Sequence, residues 1–338
     1  MDYSTYPGVV VEDIARLRRR IRDSGIPPRT SDANLVIGTW NVKALGPLHL
    51  SWEEAPDAPK RTFRSLAILA EIVRCYDILA IQEVKRDLSA LRTLLDWLGP
   101  DWGVIMTDVT AGDAGNAERL AFLFDQRRVQ ASGLAGEIVL PPSASGSPAT
   151  QFARTPYAVG FRAGGQRFVL VTAHILYGRV REERLPEIVA LAEYTAREMR
   201  DRARQARSEE GNLIILGDFN VDQRQGDPLF DAFTSTGLVV PEPLRDLPTV
   251  PGTQPKFYDQ IAWFMGTFDI PFLSAGVINF AGAVYPELPL RQAVFRVSDH
   301  LPLWACFRID RSEEVMATTL GLDPAMPHPL DSVPDPVA

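Results

Sequence analysis

The chain has 338 residues, of which 46% are hydrophobic and 23% are charged, and its formal net charge is −8. This length and composition suit a globular protein with one large α/β domain or two small ones, and the negative charge excludes the basic surface of a sequence-reading DNA-binding protein. The two cysteines, Cys75 and Cys306, form no Cys-x-x-Cys pair, which argues against a zinc site or a disulfide framework and favours a reducing compartment.

The N-terminal segment is predicted to form a surface helix followed by a connector, over residues 1–30. Apolar residues recur at helical spacing from Val10 to Ile21, beside the basic run Arg18-Arg19-Arg20. These arginines could contact nucleic acid, although a solvated helix face is the more ordinary explanation. The sequence shows neither a secretory apolar core nor an apolar run of about 18 residues, so we expect a soluble, cytoplasmic protein.

From Leu35 onward, short β-rich runs alternate with helical stretches. Strands are predicted over Leu35 to Trp40, Ile78 to Gln82, Gly103 to Met106, Leu120 to Phe124, Ala158 to Phe161, Phe168 to Ala173, Leu213 to Leu216, Gln260 to Phe264, Gly276 to Ile278 and Leu303 to Phe307. Helices are predicted over Arg61 to Arg74, Leu88 to Leu98, Arg181 to Arg207, Pro228 to Thr236 and Leu288 to Gln292. The Gly164-Gly165 turn predicts an antiparallel hairpin, so two mixed sheets covered by helices fit better than a purely parallel sheet.

The domain organisation follows from composition along the chain. No change in composition divides Leu35 from Ile309, and no internal repeat occurs. We therefore predict a single domain over residues 31–310. Residues 311–338 contain several prolines and lack sustained apolar periodicity, so we expect this tail to be disordered or loosely docked.

Five of the predicted strands have, at one end, polar residues that a hydrocarbon core disfavours: Asn41, Glu83, His174, Asp218 with Asn220, and Asp299 with His300. Taken singly, each could be a turn residue or a helix cap. Taken together, they indicate a shared site, because carboxylates, amides and imidazoles next to buried strands cost free energy unless they are paired, hydrogen-bonded or metal-bound.

Six short motifs carry these residues in a definite order. They are Thr39-Trp40-Asn41-Val42, Ile81-Gln82-Glu83-Val84, Thr172-Ala173-His174, Leu216-Gly217-Asp218-Phe219-Asn220, Tyr258-Asp259-Gln260-Ile261 and Ser298-Asp299-His300-Leu301-Pro302. The series resembles the endonuclease/exonuclease/phosphatase superfamily, most closely its DNase-like endonucleases, over about Asn34 to Arg308. The resemblance implies an α/β (α+β) fold, the DNase I-like four-layered sandwich, in which helices flank two mixed, mostly antiparallel β-sheets.

The resemblance also implies a role for each polar residue at the strand ends. Glu83 would be the principal carboxylate ligand of a Mg²⁺ or Mn²⁺ ion, with Asn41 beside it and Asp299 within reach of the metal. A hard cation of this kind neutralises a phosphate and stabilises charge on its oxygens. Asp218 would position or deprotonate the attacking water, and Asn220 would donate a hydrogen bond to a phosphate oxygen.

Two of the four histidines, His174 and His300, lie inside the motifs. A pair of imidazoles flanking a phosphate can supply one base and one acid. The motif match places Asp259 behind His300 and Glu118 behind His174, where a carboxylate would hold the tautomer and raise the basicity of the ring. Glu118 has a second interpretation, as a surface salt-bridge partner.

Basic residues near the motifs could contact the substrate phosphate. Arg154 precedes a strand at a position where the family often carries a phosphate-contacting arginine, whose guanidinium offers two parallel donors. Lys85 and Arg86 directly follow Glu83. They could also touch a phosphate, although a solvated loop is the more ordinary interpretation.

At some positions the sequence differs from the residue that is usual in individual branches of the superfamily, and these differences reduce the number of possible substrates. Abasic-site enzymes typically have tyrosine where His174 stands, and inositol polyphosphate 5-phosphatases usually have arginine where Gln260 stands. A sphingomyelinase would meet lipid through secretion or an apolar hairpin, and neither is visible. These features favour a DNA endonuclease of low sequence specificity that leaves 5′-phosphate ends and has no membrane partner. Because such an enzyme would threaten its own cell, we expect a regulatory partner or the cellular context to restrain it, and the sequence does not identify which. The alternatives are activity on RNA, lipid head groups or inositol phosphates, and a non-catalytic binding module.

Overall fold

The computed structural model describes residues 2–30, 33–110, 112, 115–142, 149–204, 212–266, 268–326 and 328–334, and for residues 202–204 it describes the backbone alone. The α-helices are α1 (Gly8–Asp23), α2 (Phe63–Val73), α3 (Ser89–Leu98), α4 (Leu185–Arg204), α5 (Pro228–Thr234), α6 (Leu290–Ala293) and α7 (Ser312–Thr319). The strands are β1 (Asn34–Leu45), β2 (Ile78–Lys85), β3 (Trp102–Met106), β4 (Glu118–Asp125), β5 (Gln130–Glu137), β6 (Tyr157–Ala163), β7 (Gln166–His174), β8 (Asn212–Asp218), β9 (Leu238–Val239), β10 (Asp259–Phe264), β11 (Phe272–Val277) and β12 (Leu303–Arg308).

The described strands form two six-stranded sheets. The first has the order β11-β12-β1-β2-β4-β3, and the second has the order β5-β6-β7-β8-β10-β9. Each sheet has one parallel pair, β1 with β2 and β7 with β8, and its other pairs are antiparallel. The prediction of two mixed, mostly antiparallel sheets is therefore confirmed.

Alternating side chains divide the sheets into layers. In β1, Val36 packs with residues of α1, α2 and α3, whereas its neighbour Ile37 packs toward the second sheet. Between the sheets, the rings of Phe122 and Phe161 meet edge to face at 5.6 Å. The outer face of the second sheet packs against α4 and α5, so the fold is the predicted four-layered sandwich.

Two strands were missed by the sequence patterns, and one predicted helix begins differently. The missed strands, β5 and β9, lie at opposite edges of the second sheet. The helix predicted to start at Arg181 begins with a 3₁₀ turn, Arg181–Arg184, before α4, and the end predicted at 205–207 falls outside the described residues.

Among the helices described, none combines the length and apolar character that a bilayer span requires.

The N-terminal helix packs on the domain through its apolar side, where Val10 and Ile14 contact Ala67 of α2. Arg18 reaches back to Glu71, with its Nε donating to a carboxylate oxygen at 2.7 Å. Arg19 and Arg20 are exposed. The basic run therefore forms a solvated helix face with one ion pair at its edge.

Part of the C-terminal tail has regular structure, which differs from the disorder or loose docking predicted for residues 311–338. Ser312–Thr319 form α7, whose Ala317 is fully buried. Glu314 accepts hydrogen bonds from Arg308 at 2.5 Å and Arg311 at 2.6 Å. These ion pairs and the acidic first turn stabilise a helix that apolar periodicity alone does not reveal.

Candidate active site

Three predicted site residues are neighbours because of the strand register in the second sheet. His174 ends β7 directly opposite Asp218 at the end of the parallel strand β8. Asp259 begins β10 opposite the same Asp218 on its other side. Since β7 and β8 are parallel and β10 runs the other way, all three side chains lie at one end of the sheet.

The first sheet brings Asn41 and Glu83 to the same place. The amide nitrogen of Asn41 donates to Oδ2 of Asp218 at 2.9 Å and to Oε1 of Glu83 at 3.1 Å. Asn41 shares the inward face of β1 with Ile37 and Thr39, because strand side chains alternate. This amide therefore joins the two sheets at the candidate site.

Glu83 is aimed by a local irregularity. The pairing of β2 with β4 shifts register between Ile81 and Val84, and Glu83 has φ +64°. A bulge of this kind turns a side chain away from the direction that regular alternation would give it. The Oε2 atom accepts a hydrogen bond from the backbone nitrogen of Ala44 at 2.9 Å. The carboxylate retains 19% exposure and remains accessible to solvent.

His300 is held by the loop that precedes β12. Its backbone nitrogen donates to Oγ of Ser298 at 2.9 Å, and the Ser298 hydroxyl donates to the carbonyl of Asn41 at 2.5 Å. On the ring, Nδ1 lies 2.8 Å from Oδ2 of Asp259, and Nε2 lies 3.7 Å from Oδ2 of Asp218. The predicted pairing of Asp259 with His300 is present.

His174 has the corresponding arrangement on the other side of Asp218. Its Nδ1 lies 3.1 Å from Oε1 of Glu118, and its Nε2 lies 3.5 Å from Oδ2 of Asp218. Glu118 is 1% exposed, so it is not the surface salt-bridge partner that the alternative interpretation required. Two imidazoles, each with a carboxylate behind it, therefore face one oxygen of Asp218.

The two imidazoles differ in their electrostatic surroundings. Burial lowers the pKa of His174 to about 4, because solvent is removed from the charged ring and the attraction of Asp218 offsets only part of that loss. Burial acts in the same direction on His300, but Asp259 and Asp218 outweigh it and raise the pKa of His300 to about 10. These surroundings therefore favour the neutral form of His174 and the protonated form of His300.

Arg154, Asn220 and Asp299 contact protein groups in ways that the sequence did not predict. The Arg154 guanidinium is buried and forms an ion pair through Nε with Glu118. The side-chain nitrogen of Asn220 donates to the carbonyl of Ile175 at 2.8 Å. Asp299 is partly exposed and forms an ion pair with Lys43. All three border the site, but only Asp299 lies at its solvent side.

Three basic residues at the site were missed or misassigned from the sequence. Lys85 belongs to β2 and lies 3.5 Å from a Glu118 oxygen, so it is not in the solvated loop that was predicted. Lys43 pairs with Asp299. Arg61 is buried and donates to the carbonyls of Val42, Lys43 and Val297, which ties the end of β1 to the His300 loop. The long-range contacts of Lys43 and Arg61 leave no signal in local sequence.

Carboxylates and imidazoles of the site form two clusters that could hold a metal ion. In the described part of the chain, Glu83, Glu118 and His174 place ligand atoms within 4.8 Å of one another, and so do Asp218, Asp259 and His300. Both oxygens of Glu118 and Oδ1 of Asp259 are buried without a hydrogen bond of ordinary geometry. Carboxylate and amide oxygens are the ligands that Mg²⁺ and Mn²⁺ prefer. With Asn41 adjacent, Glu83 is the accessible carboxylate of this set.

Comparison with known proteins gives matches over most of the chain. A model of the Endonuclease/Exonuclease/phosphatase family matches residues 38–300. A protein of Thioalkalivibrio sp. (strain K90mix) named "Deoxyribonuclease" is 30% identical over 299 residues, covering 83% of this chain and 73% of the relative. Residues 38–300, which the family model matches, include all ten residues that the sequence assigns to the site.

Solved structures with the same architecture are more distant in sequence. The catalytic domain of human Nocturnin with bound sulfate anion is 18% identical, with TM-score 0.55, over 82% of this chain and 94% of that one. An endonuclease/exonuclease/phosphatase from Bacteroides vulgatus is 15% identical, with TM-score 0.55, over 82% of this chain and 99% of that one. These similarities show the fold.

Proposed function

Because the chain belongs to the Endonuclease/Exonuclease/phosphatase family, we propose that it is a Mg²⁺- or Mn²⁺-dependent phosphodiesterase that cleaves DNA internally, with low sequence specificity, and leaves 5′-phosphate ends. The observation that carries this proposal is the position of the Asp218 carboxylate. Its Oδ2 lies 3.5 Å from His174, 3.7 Å from His300 and 2.9 Å from the Asn41 amide. A water molecule and a phosphate bound there would have proton acceptors and donors on both sides.

The proposed division of labour follows from these contacts. Asp218 orients or deprotonates the attacking water, because it is the carboxylate that faces both imidazoles. His174 and His300 supply one base and one acid, so that the water loses a proton and the leaving oxygen gains one. Asp259 contacts Nδ1 of His300 at 2.8 Å, where it fixes the tautomer and stabilises the charged form of that ring. Glu118 lies 3.1 Å from Nδ1 of His174, where it orients the second ring.

Glu83, Asn41 and Asp299 are the residues that we assign to metal binding. A divalent cation held there would neutralise the phosphate and stabilise charge on its oxygens. Asn41 keeps Glu83 and Asp218 at a fixed separation through its amide nitrogen. Lys43 pairs with Asp299, so it supplies positive charge on the same side.

Phosphate binding is assigned to Asn220 and Arg154. The Asn220 side chain uses one N–H for Ile175 and has a second N–H to offer. Arg154 forms an ion pair with Glu118 and donates toward the carbonyls of His174 and Ile175. The positive charge of this buried guanidinium would attract the phosphate electrostatically, without direct exposure of Arg154 to solvent.

The assignment of DNA as substrate draws on the relative named "Deoxyribonuclease". Low specificity is proposed because the sequence contains no recognisable helix-turn-helix or zinc-finger module. Contacts with phosphates alone carry no sequence information.

The proposal is tested by incubating the full chain with supercoiled plasmid, single-stranded DNA, RNA, sphingomyelin and inositol phosphates, each in Mg²⁺ or Mn²⁺ and again in excess chelator. We expect metal-dependent nicking of the plasmid, and 5′-phosphate ends that a ligase can join. Hydrolysis confined to the lipid or the inositol phosphates would replace DNA as the substrate. No hydrolysis of any substrate would contradict a phosphodiesterase.

A further inference from the structure

An exposed tyrosine lies at the edge of the candidate site and has no part in the proposed chemistry. Tyr177 comes three residues after His174 at the end of β7, and it is 54% exposed. A large aromatic ring left in solvent beside a cleft is a common recognition element, because it offers apolar area at little cost in conformational entropy.

Tyr177 is held in place from one side by a buried cation. The Cζ atom of Arg184 lies 4.3 Å from the centroid of the Tyr177 ring, and Arg184 is 5% exposed. Its Nε donates to the Tyr177 carbonyl at 2.8 Å. The ring therefore packs against a guanidinium, and the 54% exposure of the residue leaves aromatic area for a ligand.

The same arginine connects Tyr177 to the phosphate-binding turn. Its Nη1 donates to the carbonyl of Asn220 at 2.6 Å and lies 3.3 Å from Oδ2 of Asp222. The Tyr177 ring is therefore fixed relative to Asn220 rather than carried on an independent loop.

A second ring connects Tyr177 to the catalytic histidine. The rings of Tyr177 and Tyr258 are 6.3 Å apart with an interplanar angle of 81°, and the Tyr258 ring lies 5.8 Å from the His300 ring. Tyr177 thus lies two ring-to-ring steps from the group that we assign to proton transfer. A nucleotide next to a phosphate bound at Asp218 would lie within this range.

From this arrangement, we propose that Tyr177, supported by Arg184, is a stacking platform for an unpaired nucleobase next to the cleaved phosphate. The inference rests on the proposed nuclease function and adds to it a preference for single-stranded or frayed DNA over closed duplex. In duplex DNA both faces of a base are already stacked, so an exposed ring gains contact area only from a base that has left the helix. Stacking of this kind tolerates any base, which agrees with low sequence specificity.

The test compares two single-stranded oligonucleotides of equal length, one of thymidine nucleotides and one of abasic tetrahydrofuran units with the same phosphates. Cleavage is measured as kcat/KM in Mg²⁺, and binding is measured as Kd in chelator, by fluorescence anisotropy. The variants are Tyr177→Phe, which keeps an aromatic ring, and Tyr177→Leu, which removes the ring but still packs an apolar side chain against Arg184. The matched control is Tyr194→Leu, since Tyr194 on α4 also has an arginine, Arg197, over its ring. Thermal melting verifies that each variant is folded.

We expect the wild-type protein to prefer the thymidine oligonucleotide by about tenfold in both kcat/KM and Kd. Tyr177→Leu should abolish that preference, while Tyr177→Phe and Tyr194→Leu should retain it. Equal affinity of the wild-type protein for the two oligonucleotides, or an equal loss on both in Tyr177→Leu, would overturn the platform. Absence of cleavage together with base-dependent binding would count against the proposed nuclease function and leave the platform supported.

Discussion

Nε2 of His174 lies 3.5 Å from Oδ2 of Asp218, at the point where two parallel strands end side by side. On the far side of the same oxygen, Nε2 of His300 lies 3.7 Å away. This arrangement gives the candidate site two groups that can exchange protons with a water molecule and a leaving oxygen. Loss of either imidazole should therefore reduce the rate of the chemical step.

His174→Ala and His300→Ala are each expected to lower kcat by about a hundredfold or more, which is the usual contribution of one acid–base group. His328→Ala, at an exposed position of the C-terminal segment, serves as the matched control and should leave the rate unchanged. The measurement is the initial rate of plasmid nicking at saturating substrate. A rate near that of the wild type in one histidine variant would remove that residue from the mechanism.

Glu83→Gln should weaken metal binding without unfolding the protein. The substitution removes a negative charge whose carboxylate accepts hydrogen bonds from Asn41 and Ala44. We expect the Mg²⁺ concentration for half-maximal rate to rise about tenfold or more, and the gain in melting temperature on adding Mg²⁺ to shrink. Glu53→Gln, an exposed glutamate, is the control. An unchanged melting shift in Glu83→Gln would exclude Glu83 as a ligand.

Gly217 is expected to be required for the approach of β7 to β8. Its φ is +145°, and a Cβ built there would lie 2.0 Å from the carbonyl oxygen of Ala173. Gly217→Ala should therefore lower the free energy of unfolding by about 2 kcal/mol or more and reduce activity, since His174 and Asp218 follow these two residues. Gly136→Ala, with open space around its Cβ, should change the free energy by less than about 0.5 kcal/mol. Chemical denaturation measures both, and equal stabilities would refute the close approach.

Asp125 should make stability depend on pH in the acid range. Burial acts to raise the pKa of Asp125, but hydrogen bonds from Arg127 and Arg29 outweigh it and hold the pKa below the usual 3.8. A lowered pKa in the folded state stabilises the protein above pH 3.8, and the contribution is lost as pH falls through the folded value. Asp125→Asn should thus cost about 1 to 2 kcal/mol at pH 7, and the difference from wild type should shrink below pH 3.8. A difference independent of pH would contradict this assignment.

Much of the fold could be predicted from the sequence because most strands are strongly apolar and end at polar residues. β5 could not, because Gln130–Glu137 has two glycines and one large apolar residue, and it is mostly exposed at a sheet edge. α7 was missed for a related reason. Its stability comes from ion pairs with Arg308 and Arg311 rather than from an apolar face.

The candidate site was predictable where strand register decides proximity, as for His174, Asp218 and Asp259. It was not predictable where tertiary contacts decide. The bulge that turns Glu83, the ion pair of Lys43 with Asp299, and the burial of Arg154 against Glu118 depend on segments far apart in the chain. Motif order identifies such residues, but the partners of their side chains emerge only from the assembled sheets.

The central claim is that Asp218, between two imidazoles, is the centre of phosphodiester hydrolysis. The most direct test is the single-turnover rate of plasmid nicking in Mg²⁺ by Asp218→Asn, measured beside the wild type and beside Asp231→Asn, an exposed aspartate on α5. The account predicts a loss of about a thousandfold in Asp218→Asn alone, with thermal melting verifying that the variant is folded. A rate within a few-fold of wild type would contradict it.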